Sequence, residues 1–262
     1  MIKWNDKKKT CLIIMSFLIF SVVFGVGFAQ EKPVDLKQLR TMAEKGIAPA
    51  AFKLGLMYEH GEQGVQKNSG EAVKWYRVAA KNKNAHAMNR LGVIYFHGLW
   101  GVKKDVDQAF ELFKESAEIG TDVGQFFCGV IYYLGSGSVQ QDMKQAFEYF
   151  KKSANQGNAG AQDSMGVMYY NGQGGLKKDL IEAGKWYEKS ASQGYADGII
   201  HLASMYEQGK GGLAKDEDKA LQLYQQAADK GNHVAIEKIK YYDFKKTGSI
   251  NIKPHKVNPK EK

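Results

Sequence analysis

GNAGAQDSMGVMYYNGQGGLKKDLIEAGKWYEKSASQ, residues 157–193, is one of five consecutive stretches that recur every 37 residues without insertion or deletion. Held in register through the five copies are Tyr58, Tyr95, Tyr132, Tyr169 and Tyr206. So are Gly61, Gly98, Gly135, Gly172 and Gly209, and Ala72, Ala109, Ala146, Ala183 and Ala220. Self-similarity at such a period marks a stacked repeat, in which no unit can bury its apolar face alone.

Each copy contains two amphipathic periods. Ala161, Met165, Met168 and Tyr169 fall on one helical stripe, as do Ala50, Leu54, Met57 and Tyr58. Ala72, Tyr76 and Ala80, repeated as Ala146, Phe150 and Ala154, make a second stripe. A glycine-rich turn such as Gly172 to Leu176 separates them. It is followed by Asn68, Asp105, Asp142, Asp179 or Asp216, which the pattern predicts as N-caps. Three residues on stand Glu71, Gln108, Gln145, Glu182 and Lys219, so four copies of five carry a capping-box-like pair. These carboxylates are therefore structural. Gly55, Gly92, Gly129 and Gly166 interrupt the first helix, where glycine costs about 1 kcal/mol against alanine. A cost repeated at one position implies that the second helix crosses closely there, with Ala203 the largest residue that fits.

Outside the repeats the composition changes. Lys3, Lys7, Lys8 and Lys9 precede an uncharged, mostly apolar run from Cys11 to Phe28, closing on Gly27-Phe28-Ala29. That is the layout of a signal peptide, 1–29, which predicts an exported, periplasmic or secreted protein touching the membrane only through that segment. An uncleaved anchor is the alternative, and it too puts the repeats outside the cytosol. Of the formal net charge of +9, little is left for the repeats once the lysines of both ends are set aside, which argues against a nucleic-acid partner. Residues 30–45 and 232–242 read as capping helices, and 243–262 as a basic, disordered tail.

The pattern Leu54-Gly55, Tyr58, Gly61, Val65, Ala72, Trp75-Tyr76 and Ala79-Ala80 resembles the Sel-1-like repeat of the tetratricopeptide-like superfamily. It covers 46–231, in units 46–82, 83–119, 120–156, 157–193 and 194–230. Departures are mild: Lys83 stands at a glycine, and Ser116, Ser153 and Ser190 replace the first of the paired alanines. The resemblance implies an all-α fold, a right-handed superhelical α-solenoid of five helix-turn-helix repeats with half-repeat caps. It also implies a scaffold or adaptor that binds a partner protein or peptide in a concave groove lined by the first helices. Cysteine-rich relatives that bind or hydrolyse β-lactams or peptidoglycan-like compounds suggest an alternative. Here, however, Cys128 is the one cysteine beyond the apolar run, so a disulfide framework is missing.

No catalytic motif is found, neither H-E-x-x-H nor C-x-x-C, P-loop or G-x-S-x-G, so no enzyme activity and no cofactor are predicted. His60 and His97, in equivalent positions, lack a third metal ligand. Cys128 aligns with Leu54, Leu91, Met165 and Leu202 and is predicted to be a buried, inert thiol. Comparison among the copies separates scaffold from candidate groove. Variable first-helix positions bring in Phe52, Arg90, Phe127, Asp163 and His201, and, after the fixed tyrosine, Phe96, His97, Tyr133, Tyr170 and Glu207. Phe96, Tyr133 and Tyr170 then form an aromatic ladder flanked by Arg90, Asp163 and Glu207. Aromatic and arginine side chains are favoured anchors. The competing outcome is that these rings pack between repeats.

Overall fold

The computed structural model describes residues 35–247, so the expected signal segment and residues 248–262 lie outside it. Among the described residues there are twelve helices and no strand. They are α1 (Leu36–Glu44), α2 (Ala48–His60), α3 (Ser69–Lys81), α4 (Ala85–His97), α5 (Val106–Glu118) and α6 (Asp122–Leu134). They continue as α7 (Met143–Asn155), α8 (Ala159–Asn171), α9 (Leu180–Ser192), α10 (Ala196–Gln208), α11 (Glu217–Asp229) and α12 (His233–Thr247). The even-numbered α2 to α10 are the first helices of the five copies and α3 to α11 the second. The fold is all-α, built by repeating one helix pair.

The chain divides into two compact units, one running to Ile131 with Gly135–Gln140, the other comprising Tyr132–Leu134 and the chain from Gln141. In the first, α2 packs on α3, α4 on α5, α3 on α4, and α1 covers α2. In the second, α7 packs on α8, α8 on α9, α9 on α10, α10 on α11 and α11 on α12.

Two glycine devices recur along the repeats. The first helix ends in the left-handed region at Gly61, Gly98, Gly135, Gly172 and Gly209, with φ of 73°, 68°, 62°, 67° and 62°. Any side chain there is strained, and a Cβ at Gly172 would also sit 2.9 Å from the Lys178 nitrogen. The glycines inside the first helix answer to packing instead. A Cβ would fall 2.5 Å from the Tyr76 ring at Gly55, 2.6 Å from Phe113 at Gly92 and 2.5 Å from Tyr187 at Gly166. The close crossing expected from repeated glycine is there, and a ring fills it. Tyr76 and Phe113 are wholly buried, each contributing about 1.5–3 kcal/mol by removal from water.

The predicted N-caps all work, but by half of the expected motif. Asn68, Asp105, Asp142, Asp179 and Asp216 accept from the backbone N–H three residues on, at 3.0, 2.9, 3.0, 2.9 and 2.7 Å. In a capping box the third residue's side chain takes the N-cap amide. Here that amide donates to the carbonyl of the fixed tyrosine, as from Asn68 to Tyr58 at 2.8 Å and from Asp179 to Tyr169 at 2.9 Å. The third side chain is thereby released, and Lys219 is tolerated. The serines at the paired-alanine position also have a use: Ser190 Oγ donates to the Ala159 carbonyl at 2.8 Å, tying the end of α9 to the start of α8. Lys83, where other copies have glycine, is held at φ 63°.

The last helix corrects a boundary. It runs to Thr247 and so includes residues 243–247, assigned from sequence to the tail. Lys245 reaches across to Glu217 at 2.7 Å, and this ion pair ties the extra turn to α11.

Candidate partner-binding face

The residue after the fixed tyrosine, Glu59, Phe96, Tyr133, Tyr170 or Glu207, projects from the end of each first helix. In the first copy Glu59 accepts from the Tyr76 hydroxyl on α3 and from Arg90 Nη1 on α4 at 3.1 Å. In the fifth copy the arrangement recurs in register. Glu207 accepts from Tyr224 on α11 at 3.0 Å and from Lys238 on α12 at 2.7 Å, with Tyr242 adding a bond at 3.2 Å. Burial opposes the charge of Glu207, but the hydrogen bonds from Lys238 and the two tyrosines outweigh it and hold its carboxyl below the usual range. In the second copy the same slots hold Phe96, Phe113 and Phe127. Phe127 stacks on Phe113 at 4.4 Å and 7°, and Phe96 meets it edge-on at 5.9 Å. Each triad locks a first helix to its own second helix and to the next first helix.

The other slots belong to the second unit. Tyr133 lies 6.3 Å from Phe150. The Tyr170 hydroxyl accepts from Lys210 at 2.9 Å, and Lys178 and Lys210 sit 5.5 and 5.4 Å from its ring. Below it, Nδ1 of His201 is 2.7 Å from Oδ1 of Asp163, and the His201 ring leans on Tyr187 at 4.8 Å. Burial works against a charged His201, yet the bond to Asp163 and the charges of Asp163 and Asp197 prevail, and its pKa is raised. Asp197 is raised too, by burial first and then by Asp163.

Of the residues assigned to the groove from sequence, Phe52, Phe96 and His97 in the first unit and Tyr133 and Tyr170 in the second keep partly exposed side chains. Phe52 stacks on His86 at 5.8 Å, and Phe96 meets His97 edge-on at 4.9 Å. Phe127 and Asp163 are buried, at 6% and 8% exposure. Arg90, His201 and Glu207 are engaged in the ties just described. Sequence reasoning missed Tyr76, Tyr224 and Lys238 as their partners. The signal was present: acids at Glu59 and Glu207 are matched by bases at Arg90 and Lys238, each 31 residues on. Cys128 is fully buried, and burial pushes its thiol up to about 12, the inert thiol expected.

Comparison with known proteins matches this geometry to one family. The Sel1 repeat model matches residues 48–84, 85–120, 123–158, 159–195 and 196–232. Among solved structures, c5321 of uropathogenic Escherichia coli, described as a protective antigen with an SLR fold, is 35% identical at a TM-score of 0.65. That match covers 82% of this chain and 45% of that one. A Sel1 repeat protein from Oxalobacter formigenes is 28% identical at a TM-score of 0.69, covering 82% of this chain and 86% of that one. A curated relative, the chitin synthase regulator SKT5 of Malassezia restricta, is 32% identical over 62 residues, which are 24% of this chain and 4% of that protein. The chain thus spans less than half of c5321 and a small part of SKT5.

Proposed function

The chain belongs to the Sel1 repeat family, whose fold is a scaffold for protein–protein interaction, and on that premise we propose that it is an exported adaptor holding a partner protein or peptide against its first helices. The observation that carries this reading is the set of partly exposed aromatic side chains that the first helices carry in each unit. These are Phe52, stacked on His86, and Phe96, against His97, in the first unit, and Tyr133 and Tyr170 in the second. Such rings bring large contact area at low entropic cost. Export rests on Lys3 to Lys9 followed by the apolar run that ends at Ala29.

The test has two arms. Residues 1–35 fused to a reporter active only outside the cytosol should give signal, and a silent fusion removes the export half. The chain immobilised against envelope extract should capture a partner by cross-linking. Phe96→Ala and Tyr133→Ala should then each weaken that complex by about 2 kcal/mol or more, the range of an interface hot spot, with helical content kept. Folded variants that both bind normally would take the aromatic face out of the site.

A further inference from the structure

Three second helices carry a tyrosine at the position that crosses the first helix: Tyr76 on α3, Tyr187 on α9 and Tyr224 on α11. All three rings are buried, and a buried phenol ordinarily finds a hydrogen-bond partner. Tyr76 donates to Glu59, and Tyr224 donates to Glu207 at 3.0 Å. Tyr187 is 3% exposed, yet its hydroxyl makes no hydrogen bond among the described residues. Burial raises its pKa, so the hydroxyl keeps its proton and stays a donor. Asp163, the carboxylate whose charge bears on it, is already bound to His201 at 2.7 Å.

The cause is one exchange in the slot after the fixed tyrosine. The first and fifth copies hold Glu59 and Glu207 there, and the fourth holds Tyr170. The carboxylate is gone while its phenol donor remains. Further donors have been added around it. Lys210 stands where the other copies have Glu62, Leu99, Ser136 and Gln173, and it donates to the Tyr170 hydroxyl at 2.9 Å. Lys178, from the turn after α8, lies 5.5 Å from the Tyr170 ring, and Lys210 lies 5.4 Å from it. Among the described residues neither ammonium forms an ion pair. Lys215, the equivalent of Lys178 one copy on, is by contrast paired with Glu217 at 3.0 Å. Asp163 and Asp197 oppose a further negative charge in this place, and Lys178, Lys210 and a protonated His201 offset them.

We propose that the Tyr170 slot of the fourth copy binds a carboxylate brought by the partner, which does from outside what Glu59 and Glu207 do from within the chain. The ligand is an acidic peptide segment, held by charge-assisted hydrogen bonds from Lys178 and Lys210, with the Tyr187 hydroxyl as third donor. This rests on the reading of the first helices as the binding face and gives the partner its chemistry.

Calorimetric titration of the purified chain with a hexaglutamate peptide blocked at both ends tests for a side-chain carboxylate. A hexaserine peptide blocked only at its N-terminus tests for a terminal one. One of the two should bind, and hexaserine blocked at both ends should not. Lys210→Gln should weaken that binding about tenfold and Tyr187→Phe, which keeps the ring beneath Gly166, about fivefold, the range of a hydrogen bond to a charged group. Without peptide, Tyr187→Phe should keep the parent melting temperature, because it deletes a hydroxyl that has no partner, whereas Tyr224→Phe should lower it. Failure of both peptides to bind, binding indifferent to Tyr187→Phe, or a Tyr187→Phe that melts as early as Tyr224→Phe overturns the proposal. The adaptor reading is tested apart from it. A captured partner released by Phe96→Ala but not by Lys210→Gln keeps the adaptor and removes the carboxylate slot, and peptide binding without any captured partner does the reverse.

Discussion

Two joints in the first unit occupy equivalent slots and are built from opposite chemistry. Where α4 meets α2, Glu59 gathers the Tyr76 hydroxyl and the Arg90 guanidinium. Where α6 meets α4, Phe96, Phe113 and Phe127 close the same space with stacked rings. The backbones around them match, down to the helical glycine under the ring at Gly55 and Gly92. What differs is a set of three side chains that change together. A residue that varies between copies is thus not thereby a surface residue. In a stacked fold it is often one member of a buried set whose other members vary with it.

The aromatic joint is the place where a single truncation should cost most. Phe127→Ala removes the ring stacked on Phe113 at 4.4 Å in a site already 94% buried, and large-to-small changes of this kind cost about 3–5 kcal/mol. Urea unfolding followed by circular dichroism measures it. A loss below about 1 kcal/mol, within the range of an ordinary surface change, would mean the rings do not hold the joint.

The charged joint should respond in a more particular way. Glu59→Ala takes away the acceptor that Glu59 provides to Tyr76 and Arg90, and stranding such donors costs about 1–3 kcal/mol. Replacing the whole set, Glu59→Phe with Tyr76→Phe and Arg90→Phe, transplants the neighbouring joint. A buried ion pair exchanged for well-packed apolar groups is often neutral or better, so the triple variant should lie within about 1 kcal/mol of the parent and above the single variant. If the triple variant falls below Glu59→Ala, the two joints are not interchangeable, and the backbones differ in a way the crossing distances do not report.

What the amino-acid sequence made legible follows the same division. The period, the helix pairs, the N-caps from Asn68 to Asp216 and the close crossing at Gly55, Gly92 and Gly166 are properties of one copy repeated, and all of them were readable. The joints were not, because each is defined by residues 17 and 31 positions apart, and reading down one alignment column hides the link between columns. Phe127 and Asp163 look like free surface when taken column by column and are buried when seen with Phe113 and His201. The N-cap amides escaped for a related reason. Nothing local says that the carbonyl of Tyr58, ten residues back, is the acceptor for Asn68.

A third joint, where α10 meets α8, sharpens the comparison by adding a group that titrates near neutrality. His201 is held by Asp163 at 2.7 Å with Asp197 close by, and its pKa is raised above the usual imidazole value in spite of burial. The folded chain therefore binds that proton more tightly than the unfolded chain does. The resulting stability is complete below the ordinary imidazole pKa, about 6.5, and is lost as pH rises through the folded value. Asp197, also raised, carries the same sign, since folding disfavours its ionised form, and its share is lost as pH rises from the ordinary carboxylate range. Glu207, lowered, contributes fully at neutral pH and loses its share only on acidification past its folded pKa, below the carboxylate value of 4.5. The melting temperature of the parent should fall as pH rises from the ordinary imidazole pKa through the higher folded value, and His201→Gln, which keeps a hydrogen-bonding group without the titration, should flatten that slope. The effect is the smallest of the three, no more than about 2 °C for a chain of this size. The His201 side chain is 39% exposed, and solvent screens its pairing with Asp163. An unchanged slope in His201→Gln would mean that the pH dependence arises elsewhere and that this joint holds by the packing of His201 on Tyr187 alone.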